Sequence, residues 1–114
     1  MTPQEKEKYF KVHKRIVTEH IRENGEVFYT ASVIKDGGSW LWGLIKFRPE
    51  HYVTMNEKNN PVLMSVRGLG DEYRLTFLHF FKSEQEARDA IETAIDKYIE
   101  AIRQTIVKET SYAY

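Results

Sequence analysis

The residues able to do chemistry are the four histidines, a handful of serines, two glycine turns and one acidic pair. Their spacing decides what each can do. His13 and His20 stand seven apart in a stretch with helical periodicity, which would separate them by about 10 Å along a helix axis. Zinc pairs on helices sit three or four apart, so these two read as hydrogen-bonded structural histidines. His51 follows Pro49 and Glu50, and His79 lies among aromatics. Either ring is capable of acid or base work, but no partner is fixed by spacing. Ser32, Ser39 and Ser65 lack the strand-turn-helix setting of a nucleophile, and Ser83 reads as a helix cap. Gly37-Gly38 and Gly68-Leu69-Gly70 fall between strand-like runs without a third glycine or a following Lys-Ser, so they are turns and not phosphate cradles. Asp71-Glu72 lacks the spaced oxygen ligands of a calcium loop. The chain has no cysteine, which excludes disulfides, zinc-thiolate sites and thiol nucleophiles. No catalytic residue, metal or cofactor is expected.

The elements that would carry these residues follow from caps and periodicity. Thr2-Pro3-Gln4-Glu5 is a capping box with proline at the first helical position. Tyr9, Val12, Ile16, Val17, His20 and Ile21 recur at helical spacing, and Asn24-Gly25 supplies a left-handed stop, which predicts a helix over 3–23. From residue 26 the period becomes two, predicting a strand over 26–35 that turns at Asp36-Gly37-Gly38-Ser39 into a second strand over 40–48. Pro49 interrupts the pattern, and a short strand is predicted over 51–55. Runs over 62–67 and 72–81 flank the second glycine turn and predict another hairpin. Ser83-Glu84-Gln85-Glu86 is a second capping box, followed by a stripe of Ala87, Ala90, Ile91, Ala94, Ile95, Tyr98, Ile102 and Ile106. The expected fold is α+β: an N-terminal helix, a four- or five-stranded antiparallel meander and a long C-terminal helix, in one domain spanning 1–114.

Size and charge narrow the classes. A chain of 114 residues buries one core. The 17 basic and 17 acidic residues cancel, so the net attraction that brings many proteins to nucleic acid is missing. From residue 84 onward the chain is acidic, with seven acidic against four basic residues. The N-terminal stretch alternates Lys and Glu and resembles no export signal, and no apolar run approaches the roughly 20 residues of a membrane span. A cytoplasmic location is the expectation.

Period-two reading of the strands gives two apolar faces instead of one. Val27, Tyr29, Ala31, Val33, Val62, Met64 and Phe81 are assigned to the face the helices cover. Phe28, Ile34, Trp40, Trp42, Leu44, Leu63, Leu78 and Phe80 are assigned to the other. A cluster of that size is too much apolar surface to leave in water. A terminal helix, a second copy of the chain or a flat ligand would each cover it. The leading expectation is a small non-enzymatic interaction module, a homodimer or a partner binder, with Trp40, Trp42, Leu78 and Phe80 at the contact. The alternative is single-stranded nucleic-acid binding, with Lys46, Arg48, Arg67 and Arg74 meeting phosphates beside those aromatics. An enzyme of unknown class ranks third.

Overall fold

The computed structural model describes residues 2–40, 43–46, 48–65, 78–105 and 110–113, with the backbone alone at 39, 40, 45, 46 and 105. Helix α1, Pro3–Tyr9, is followed by strands β1, Val12–Ile21, and β2, Val27–Lys35. A small hairpin of β3, Ser39–Trp40, and β4, Ile45–Lys46, leads to β5, Glu50–Met55, and β6, Pro61–Ser65. Helix α2, Glu84–Thr105, comes last. The main sheet is antiparallel in the order β1-β2-β5-β6, and β3 pairs only with β4. The α+β layout with a helix at either end, an antiparallel sheet between them and a long C-terminal helix is as the sequence predicts.

The first helix is much shorter than its periodicity suggests. Its start is capped as expected, with the Glu5 N–H donating to Thr2 Oγ1 at 3.2 Å. It stops at Tyr9 because Phe10 turns extended, at φ −148° and ψ 100°, while its N–H still donates to the Lys6 carbonyl. Residues 12–21 then form β1. Five of the ten, Val12, Ile16, Val17, Thr18 and Ile21, are β-branched and lose side-chain freedom in a helix. Asn24-Gly25 closes the β1–β2 hairpin instead of a helix. Gly25 has φ 89°, and a tight hairpin needs the left-handed residue as much as a helix end does. The Arg22 N–H donates to the Glu26 carbonyl at 2.8 Å across the turn.

The middle of the chain also pairs differently from the two-hairpin expectation. The partners of β2 are β1 and β5, the latter through Ser32–Tyr52, Val33–His51 and Ile34–Glu50. Pro61–Ser65 pairs with β5, aligning Val53 with Leu63 and Tyr52 with Met64. Opposed residues of an antiparallel pair share a face, and Val53 is fully buried in the core. Leu63 therefore belongs to the α2 face, and Val62 and Met64 to the other, the reverse of the sequence assignment. Period two sets the alternation within a strand but not its phase, which pairing supplies. The predicted strand over 72–81 lies largely outside the described residues. Its end is visible: Tyr29 and Phe81 exchange backbone hydrogen bonds of 2.8 and 2.7 Å, and the His79 N–H reaches the Val53 carbonyl at 3.4 Å. Residues 79–81 thus enter between β2 and β5 where those strands part.

Helix α2 packs across the sheet. Ser83 Oγ accepts the Glu86 N–H at 3.1 Å, and Glu86 reaches back to the Lys82 N–H at 3.2 Å, so the capping box forms one residue out of ideal register. The small side chains of Ala87, Ala90 and Ala94 let the helix approach closely, and Ile91, Ile95 and Ile99 fill the space over Ala31, Val33, Val53 and Phe81. Ile99, 1% exposed, continues the spacing of Ile91 and Ile95 and extends the predicted stripe. Phe10 anchors α1 in the same core, 5.1 Å from the Tyr98 ring. An ion pair of 2.6 Å between Lys6 and Asp96 ties α1 to α2 from outside.

Candidate functional site

The face opposite α2 is built from alternate residues of four strands. Thr30 and Ser32 lie at its centre and are buried, while Ile16, Ile34, Tyr52, Thr54, Val62 and Met64 around them are half-buried. At the hairpin end the face becomes aromatic. His20 and Phe28 are cross-strand partners, and their rings stack at 4.7 Å with an 8° tilt. His20 Nε2 lies 2.9 Å from Thr30 Oγ1, which fixes the ring against the sheet. The Arg22 guanidinium sits 4.9 Å from the Phe28 ring centre.

Phe80 completes this cluster, and the backbone explains how. Because Phe81 is buried toward α2, its neighbour must point the opposite way. The Phe80 ring lies 4.6 Å from Phe28 and remains 41% exposed. On the α2 side of the same hairpin end, Ile21 and Val27 are 69% and 43% exposed. The tip of the molecule therefore carries apolar surface on both faces.

Of the predicted contact residues, Phe80 is in this cluster and Leu78 is half-buried two positions before it. Trp40 has its backbone in β3, and Lys46 its backbone in β4. Arg48 is exposed just after that hairpin. Trp42, Arg67 and Arg74 lie outside the described residues. Sequence reasoning placed Phe28 on this face but missed His20 and Arg22, because it put them on a helix. The Asn-Gly turn after a run rich in β-branched residues was the signal that would have found them.

The other polar groups have structural settings. His13 stands at the irregularity between Val12 and Lys14 in β1, so it no longer shares a helix face with His20. His51 projects toward α2 beside Phe10 and Tyr98, with ring centres 5.8 and 6.0 Å away. Its Nε2 is shielded from solvent and has no hydrogen-bond partner. Loss of hydration lowers its pKa first, and the Lys35 charge adds to the shift. The Asp36 carboxyl is held below its ordinary value chiefly by the Gly38 N–H, partly opposed by loss of hydration, with Lys11, Arg48 and His13 adding attraction. Among the described residues no group of three or more His, Asp or Glu is placed to hold a metal ion, and no helix is long and apolar enough to cross a membrane.

Comparison with protein-family models, with curated proteins and with solved structures finds no match.

Proposed function

We propose that the chain is a small non-enzymatic interaction module that associates with itself through the sheet face opposite α2, with Phe80 at the contact. The observation that carries this reading is Phe80. Its aromatic ring is 41% exposed, although it is held in place by a neighbour that is locked into the sheet. A rigidly presented, partly exposed aromatic is the kind of side chain that anchors protein contacts. Fully burying one is worth about 1.5–3 kcal/mol.

Nucleic-acid binding is the weaker reading. Phe28 has His20 stacked on its ring and the Arg22 guanidinium close by, so little of it is left to receive a base. The test is the solution mass of the wild type and of Phe80→Glu by light scattering. The variant should fold and show a lower mass at the same concentration. Equal masses would remove Phe80 from the contact and the proposal with it. Salt-dependent quenching of tryptophan fluorescence by oligonucleotides, unchanged in Phe80→Glu, would favour the nucleic-acid reading instead.

A further inference from the structure

The ten residues of β1 form an edge of the main sheet, and no described strand lies beyond it. Which of its backbone groups are unpaired follows from the hairpin. The Arg22 N–H donates to Glu26, and the register runs from there through His20–Phe28, Thr18–Thr30, Ile16–Ser32 and Lys14–Ile34. Antiparallel ladders alternate, so these even-numbered residues bond to β2. Tyr29, opposite Glu19, bonds away from β1 to Phe81, as the alternation requires. Arg15, Val17, Glu19 and Ile21 therefore direct their N–H and C=O groups outward.

A long edge with no described strand beyond it is a template for another strand, and the side chains on this one select their own copy. A second β1 running antiparallel must align odd residues with odd residues for the outward groups to meet. With Val17 opposite Val17 of the second copy, Arg15 falls opposite Glu19 and Glu19 opposite Arg15. Moving the register by two residues in either direction places Val17 opposite a charged residue and dissolves both pairings. Arg15 and Glu19 are exposed, and both lie on the α2 side, where Arg15 already meets Glu92 at 2.5 Å. Beside this edge runs a mostly polar groove in which Val17 and Ile91 are flanked by Arg15, Arg88, Asp89 and Glu92.

We propose that β1 pairs antiparallel with β1 of a second copy about a two-fold axis at Val17, joining the two sheets into one. This contact is along the sheet edge and is separate from the face contact at Phe80. It is tested in the Phe80→Glu background, where the face contact is suppressed. Light scattering should give twice the chain mass for Phe80→Glu and a single chain mass once Glu19→Pro is added. Proline there removes one outward N–H and leaves the β2 ladder intact, which matching far-UV circular dichroism would verify. If the proline variant does not fold, Glu19→Lys takes its place, setting like charges opposite Arg15. A Phe80→Glu variant that is monomeric at the highest attainable concentration overturns the edge pairing and leaves the face contact standing. Wild type and Phe80→Glu both at twice the chain mass would remove the face contact and leave the edge pairing standing. The chain has no cysteine, so Val17→Cys adds a register check. Paired Cα atoms about 5.5 Å apart suit a disulfide, and oxidation should link Val17→Cys but not Glu19→Cys. Linking of both variants alike overturns the register.

Discussion

Acid should destabilise this protein through His51, and the effect can be worked from its surroundings. The ring is packed by Phe10 and Tyr98, its Nε2 is shielded without a partner, and Lys35 holds its ammonium 5.4 Å from the Phe10 ring centre. All of this penalises the imidazolium, so the folded pKa lies below the ordinary 6.5. The sign follows from linkage. Above about pH 6.5 neither state binds the proton and this histidine leaves stability independent of pH. As pH falls below that value the unfolded chain takes up the proton that the folded chain resists. Stability then drops, with a slope approaching about 1.4 kcal/mol per pH unit, and the drop levels off below the folded pKa. For a chain of this size each kcal/mol is about 4 °C in melting temperature. The assay is urea unfolding at pH 7.5, 6.5 and 5.5 for wild type and His51→Leu, a substitution suited to the aromatic surroundings. The variant should lose part of the wild-type decline between pH 6.5 and 5.5. An identical decline in both proteins would refute the reasoning. Asp36 does not confuse the result, because its carboxyl titrates below its ordinary 3.8.

Two further outcomes test the framework. Phe10→Ala should cost about 3–5 kcal/mol in urea unfolding, and should shrink the acid response because water then reaches His51. Ser83→Ala should cost about 1 kcal/mol, measurable by thermal melting, since it removes the acceptor for the Glu86 N–H at the start of α2.

The caps and the long helix were legible in the sequence because their causes are local. A hydroxyl at Ser83 and alanines and isoleucines three and four apart act within one helix. The first element was misread for an equally physical reason. Ile16 and Val17 are adjacent apolar residues on opposite faces of an edge strand, and with Tyr9, His20 and Ile21 they imitate a helical stripe. An edge strand also carries charges such as Arg15 and Glu19 on its inner face, and these blur its alternation. Pairing partners were beyond local reading. The sequence suggests that 26–35 should meet the run after the Gly37-Gly38 turn, yet that run folds on itself and β5 takes the place. The candidate surface was legible in part: Phe28 and Phe80 were assigned to the correct face, whereas Leu63 was not, because the phase of β6 is set by its ladder with β5.

The entry of residues 79–81 between β2 and β5 bears on how the molecule opens. Lys82 and Ser83 alone separate this inserted segment from α2, so the helix and the middle of the sheet are joined by a tether with almost no slack. Lifting α2 pulls on Phe81, and losing Phe81 removes the bonds to Tyr29. Sheet and helix should therefore come apart in a single cooperative event, and the segment serves as the latch between the two layers.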